Sequence, residues 1–465
     1  MTHGGVRAGA VLVAAALATG ALATGACAVD GSADPALYRD VLYAGAGDAV
    51  PADAPGTPQD VVLSMRLANA ANETLRVEGE AYVRVLLERR RVAARFLARF
   101  DLEPEVSLDE RTGHGRHSGL DAPVRGDFAL DPVADSADTD AAALDALRAR
   151  AELLAAQDAL LLDTARAHFA VLRAERRADV LRASIAFQGA RIDDARARVE
   201  AGVARPLDVA LSESRAADSQ VALVAAETEA REARNLLGFL TARDATATPL
   251  APPVARADDT RDVAALRAAA LAARPEVEAA ACDVDAQAAG VRAAYGRFWP
   301  SIEADFTGFL SRDSEPTALD WTSAVRISLP LFDAGLIELD VRTALSRLRA
   351  AHATLALVRR SVARDVDDAL EHLDAARRRI DALHVRRAAA ERSREQAEGL
   401  WAAGLGTNLE RLAAQDELLS ADLDLTDAEL LVALRRLELL RATGELHTLL
   451  GLVRDDAEAR RAEAR

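Results

Sequence analysis

The sequence predicts a mainly α fold with a small β part, built as two copies of one unit of long antiparallel helical hairpins. Three observations carry this prediction. Hydrophobic residues make up 50% of the chain, mostly Ala and Leu, and aromatics only 4%. With Arg and Glu these are strong helix formers. One turn occurs twice, as Ala201-Gly202-Val203-Ala204-Arg205-Pro206-Leu207-Asp208 and Ala403-Gly404-Leu405-Gly406-Thr407-Asn408-Leu409-Glu410. Gly202 and Gly404 lie 202 residues apart, and the same shift pairs Asp163 with Asp365, Arg177 with Arg379 and Leu223 with Leu425. A repeat of that length marks a duplicated unit. Finally, each half holds a short stretch of alternating polar and apolar residues, the pattern of half-buried strands.

Residues 1–27 read as an export signal. Arg7 precedes an apolar run over 8–23 that is too short to span a bilayer comfortably. Thr24-Gly25-Ala26-Cys27 follows. Two readings stay open: ordinary cleavage after Ala26 or Ala28, or a segment resembling a bacterial lipobox, with Cys27 acylated (palmitate included) and Thr24 where Leu is usual. Residues 28–60, rich in Gly, Pro, Ala and Asp, predict an extended arm.

The first repeat covers 61–242: a helix over 61–101, strands within about 105–131, a helix over about 141–201, a turn at 202–207 and a closing helix. Pro206 sits just inside that closing helix, where its missing N–H costs nothing. Residues 243–260, with Pro249, Pro252 and Pro253, form a link. The second repeat covers 261–450: a helix over 261–297, strands within about 301–331, a helix over about 335–402, a turn at 404–409 and a helix to about 450. A charged tail spans 451–465. The pairs Pro104/Pro300, Pro132/Pro330 and Asp135/Asp333 extend the match through the strand regions with shifts of 196 and 198. A 60-residue helix is about 90 Å long, so the unit is very tall.

Read with period two, Ile302, Ala304, Phe306 and Leu310 share one face, opposite Ser301, Glu303, Asp305 and Thr307. Trp321, Val325, Ile327, Leu329 and Leu331 stand opposite Thr322, Arg326 and Ser328. The first half shows a weaker version, with Val106 and Leu108, then Val124, Phe128 and Leu130. Stretches of about ten residues suit tilted strands crossing a bilayer; a half-buried hairpin in a soluble domain shows the same alternation. Four strands cannot close a barrel alone, and open edges are not tolerated in lipid. A membrane reading therefore requires several chains to share one barrel.

The net charge of −17 argues against nucleic acid as a partner. The basic residues are Arg without Lys, which we read as genome composition. Cys282, among Ala residues, reads as a small core residue. His114 and His117 lack a third ligand, so a solvated loop is the better reading and no metal or cofactor is expected. No phosphate-cradling loop, zinc spacing or nucleophile elbow occurs, so no enzyme is expected.

The two turns, Arg274-Pro275-Glu276, Trp299-Pro300-Ser301 and Leu329-Pro330-Leu331-Phe332-Asp333-Ala334-Gly335 resemble the TolC-type outer-membrane efflux proteins, in the lipoprotein branch if Cys27 is acylated. The resemblance covers nearly the whole mature chain. It implies a homotrimer in which four strands per chain build a shared transmembrane β-barrel in outer-membrane lipid. It also implies a periplasmic coiled-coil tunnel, docked by a periplasmic adaptor protein and through it by an inner-membrane pump. The duct would conduct passively, gated at its helix tips. Carried over by position, adaptor contact falls on Gly202, Val203, Ala204, Arg205, Pro206 and Leu207, and on Gly404, Leu405, Gly406, Thr407, Asn408 and Leu409. Gate candidates are Asp208, Glu410, Asp416, which stands in for the acid absent at Ala413, and Arg205, expected to pair with an acid on the neighbouring hairpin. Asp208 and Glu410 can equally be N-terminal helix acids favoured by the helix dipole. A competing reading is a non-channel, structural coiled-coil protein of the envelope, which would not need two matched strand pairs.

Overall fold

The computed structural model describes residues 31–44, 58–111, 115–202, 204–245, 248–253, 261–310 and 320–454, with backbone alone over 106–120. The leader with Cys27, most of the arm, Val203, His114, the His117 side chain and most of the tail lie outside the described residues.

Helices run α1 Asp34–Leu42, α2 Val61–Ala71 and α3 Glu73–Ala94, followed by strands β1 Arg99–Leu102, β2 Glu105–Arg111, β3 Gly115–Asp121 and β4 Pro123–Leu130. Then come α4 Pro132–Glu200, α5 Pro206–Thr241, α6 Val263–Ala273, α7 Pro275–Gly296, β5 Ser301–Phe309, β6 Trp321–Ser328, α8 Leu336–Ala402 and α9 Asn408–Ala442. A 3-10 turn, Leu446–Leu450, closes the order. The 69 residues of α4 span about 100 Å.

The duplication is visible in the element bounds. Val61 and Val263, Glu73 and Pro275, Arg99 and Ser301, and Pro206 and Asn408 open equivalent elements, each pair 202 apart. That register corrects one of the proline pairs expected from sequence: Ala98, not Pro104, stands where Pro300 does, while β4 and β6 begin and end 198 apart, the shift of the pairs Pro132/Pro330 and Asp135/Asp333. Proline marks element ends in general, so two prolines near strand ends align without being equivalent.

The expected helices over 61–101 and 261–297 are each broken at one joint. Asn72 ends α2 and caps α3, its Oδ1 accepting from Thr74 N at 2.9 Å while Nδ2 donates to the Leu240 carbonyl at 3.0 Å. At the equivalent joint Pro275 cannot continue α6. Arg274, only 6% exposed, is held by Glu276 at 2.8 Å and Asp365 at 2.9 Å. Residues 34–42, expected within an extended arm, are helical. Tyr38 and Leu42, one turn apart, bury against Leu75, Val83 and Leu153. A Cβ at Gly79 would stand 2.6 Å from the Tyr38 ring, so that docking requires glycine there.

One core forms where helices of the two repeats meet and another within the second repeat. Met65, Leu161, Phe169, Leu437 and Leu446 make one cluster, and Leu266, Val277, Val362 and Val366 another. Each fully buried Leu or Phe contributes about 1.5–3 kcal/mol. Alanines at 151, 165, 174 and 195 on α4 are fully buried, and their small side chains let neighbouring helices approach closely. The link pairs with the start of the first repeat, Gln59 N donating to Pro249 O at 2.8 Å and Ala251 N to Gln59 O at 2.9 Å.

One sheet has the order β1-β4-β5-β6 with every pair antiparallel, and β2-β3 form a separate hairpin. The expected strand at Val106 and Leu108 therefore belongs to that hairpin. The strand that enters the main sheet is β1, four residues that sequence reasoning gave to a helix.

Candidate functional site

Two features stand at opposite ends of α4 and α8: the sheet, and the pair of turns.

The register brings the apolar alternations of all four strands onto one face. Ile302 lies opposite Leu130 and Ile327, Ala304 opposite Phe128 and Val325, and Gly308 opposite Val124 and Trp321. Phe100 and Leu102 of β1 lie opposite Gly126 and Val124. The other face carries Arg99, Asp101, Arg125, Asp127, Glu303, Asp305 and Arg326, because successive side chains alternate. Ion pairs run along it, Arg326 to Glu303 at 2.9 Å and Arg125 to Glu103 at 2.9 Å. The apolar face is open: Val325 is 73% exposed and Ile327 69%. A contiguous patch of this kind marks a surface made to be covered. Among the described residues, the outer edges of β1 and β6 have no strand partner.

At the other end Gly202 and Gly404 both adopt φ of 74°, a left-handed conformation that glycine enters without steric cost. After the first turn, Asp208 accepts from the Arg205 N–H at 3.1 Å and from its guanidinium at 3.3 Å. After the second, Glu410 accepts from the Thr407 N–H at 2.8 Å and hydroxyl at 2.9 Å. Those Thr407 donors hold the Glu410 carboxyl below its usual range. Both acids are thus engaged in capping the helix that follows. Arg205, expected to reach the neighbouring hairpin, pairs within its own turn because Asp208 stands three residues on, one helical turn away.

The two turns are fastened together. Asn408, 1% exposed, donates to the Asp208 carbonyl at 3.0 Å and to Ser212 Oγ at 3.3 Å. Asp416 reaches Arg215 of the first hairpin at 3.5 Å. Burial pushes the Asp416 carboxyl up, against the pull of Arg215. Arg191 pairs with Glu398. The Trp401 ring receives Arg198 at 5.2 Å and Arg411 at 4.9 Å from its centroid. Sequence reasoning missed Trp401 and Arg411. One signal was available: Trp401 is one of three Trp in the chain and falls three residues before Gly404. Leu207, Leu405 and Leu409 project outward, 55%, 80% and 60% exposed.

An open amphipathic sheet on a stalk of paired helices is the fold of outer-membrane channels. The outer membrane protein VceC of Vibrio cholerae superposes with a TM-score of 0.73 at 18% identity, over 83% of this chain and 96% of that one. Residues 266–445 match the family model described as outer membrane efflux protein. The second repeat of the chain thus resembles the outer membrane efflux proteins. Fusaric acid resistance protein FusA of Burkholderia cepacia is 30% identical over 34% of this chain and 31% of its own length. Outer membrane efflux protein BepC of Brucella suis is 25% identical over 57% of this chain and 58% of its own. The chain thus spans under two thirds of the length of either of these relatives.

Proposed function

We propose that this protein is the outer-membrane duct of a tripartite export system, formed by three copies that close their sheets into one barrel. The observation that carries the reading is the sheet. Its exposed apolar face suits lipid, its charged face suits a water-filled lumen, and its two open edges need partners, because unpaired strand edges are too costly in hydrocarbon. Four strands per chain give twelve in a trimer, within the range of known barrels. A purely structural coiled coil leaves that apolar face without a purpose.

In this reading α4, α5, α8 and α9 form a periplasmic tunnel. An adaptor linked to an inner-membrane pump docks on the turns at 202–207 and 404–409, and conduction is passive, with no bond chemistry. Acylated Cys27 would add a lipid anchor to the barrel. Opening requires the hairpins to part, so the contacts of Asn408, Asp416 and Trp401 between the two turns resist it.

Detergent-extracted protein should elute as a trimer by light scattering and give discrete conductance steps in planar bilayers. A monodisperse soluble monomer that neither partitions into membranes nor conducts would sink the proposal.

A further inference from the structure

Arg411 is the outlier of the tip. It follows Glu410 on the first turn of α9, yet it is 4% exposed. Both Nη1 and Nη2 lack a hydrogen-bond partner. The nearest carboxylate oxygen, Asp194 Oδ2, stands 3.7 Å from Nη1, beyond hydrogen-bond reach. Asp194 is moreover committed to Arg198, at 3.2 Å through each oxygen, and Glu398 is committed to Arg191.

The charges acting on Arg411 are Glu398 and Asp194 against Arg191 and Arg198. Both carboxylates are shared with those other arginines, so Arg411 keeps only the 3.7 Å ion pair and the Trp401 ring face, at 4.9 Å, with no hydrogen-bonded carboxylate of its own. Burial pulls the guanidinium down from its ordinary value, yet an arginine does not discharge in a protein. A buried charge whose donors make no hydrogen bonds is unfavourable, so the site favours a negative partner.

Space for one exists beside it. Arg411, Arg394 and Arg191 line a cavity of about 20 Å³ with the single carboxylate Glu398 and with Gln188, Ser212 and Gln415, so its charged lining is net positive. Arg394 Nε is also without a partner. Roughly 10–15 Å³ admits one water-sized occupant. A small ion suits a space of this size. The amide oxygens of Gln188 and Gln415 are also unpaired. Turning the Gln415 amide would present its NH₂ group to the cavity instead.

We propose that this cavity binds one small monovalent anion of the halide class, held by the Arg411 guanidinium with Arg394, as a built-in counterion between the two hairpins. A water molecule satisfies the hydrogen bonds but leaves the charge unbalanced.

Bromide replaces chloride at such sites and scatters anomalously. Crystals of the full-length wild-type protein soaked in bromide should show one anomalous peak per chain within hydrogen-bond range of Arg411. Ordered water without an anomalous signal, or an empty cavity, overturns the proposal. Arg394→Gln leaves Arg411 in place and should lower bromide affinity about tenfold, the scale of one charge-assisted hydrogen bond. Unchanged affinity in that variant counts against the assigned ligands. The peak is read per chain, so its absence is distinguishable from failure of the trimeric duct, which light scattering reports separately.

Discussion

His168 sits in the wall of the mid-height core, where α4 passes the start of the first repeat. Its Nδ1 lies 2.9 Å from Ser64 Oγ, and Gln59 donates to the same oxygen at 2.9 Å. A Ser–His contact invites a catalytic reading, but Ser64 is fully buried and the contact serves packing. Desolvation lowers the imidazole from 6.5 to about 4, against a backbone hydrogen bond at Ala251 and the charge of Asp60. The sign of the pH dependence follows. Above about pH 6.5 the ring is neutral folded or unfolded and contributes no slope. Between about 6.5 and 4 the unfolded chain takes up a proton that the native one refuses, so stability falls as pH falls. Below about 4 the loss is complete, on the order of 3 kcal/mol for a gap of this size. His447 is lowered to about 4 as well, again by burial first. Denaturant midpoints of wild type and His168→Gln, taken from pH 7 to pH 4.5, should differ in slope, the variant being flatter. Parallel curves would show that His168 titrates normally in the fold.

At the scale of elements, the two turns separate into an inner and an outer surface. The inner one, with Asn408, Asp208, Arg411 and Trp401, ties the hairpins together, while Leu405 and Leu409 point away. Changes at such exposed positions usually stay within about 0.5 kcal/mol. The double variant Leu405→Asp, Leu409→Asp should therefore retain trimers and bilayer conductance yet lose export in cells that depend on the protein. Undiminished export would remove these leucines from the adaptor surface. The turns themselves were legible in the sequence, because only a glycine fits φ of 74° cheaply and Gly202 and Gly404 repeat at a fixed interval. The strand faces were legible for a similar reason, since Ile302, Ala304 and Phe306 alternate with charged residues. What α9 does with Asn408 and Arg411 was not. Their partners Asp208, Ser212 and Trp401 sit on other helices, and local periodicity carries no information about which helix lies opposite. β1 escaped too: four residues, Arg99-Phe100-Asp101-Leu102, give two alternations, too few to separate from a fraying helix end.

For the whole molecule, the decisive question is which medium each face of the sheet meets. Val325 and Ala324 are neighbours on β6, a strand exposed along its length in the single chain, yet the register assigns them to opposite faces. Val325 shares its face with Ala304 and Phe128, while Ala324 shares its own with Asp305, Asp127 and Arg99. In a soluble protein a guanidinium at either exposed position would be nearly neutral. In a barrel the two differ sharply. An arginine on the lipid face near the bilayer midplane costs about 2–4 kcal/mol, whereas a lumen position tolerates it. The cost recurs in each copy, so a trimer would carry it three times. Val325→Arg should then reduce the heat-resistant trimer recovered from outer-membrane fractions, and Ala324→Arg should leave its amount unchanged while altering single-channel conductance. Equal loss in both variants would mean that the sheet is not a lipid–water boundary. The reverse order would place the charged face outward, which the Arg326–Glu303 ion pair and the row of carboxylates on that side make untenable in hydrocarbon. The long helices set the height of the molecule, but this contrast between adjacent residues decides whether the sheet at their end is a pore wall.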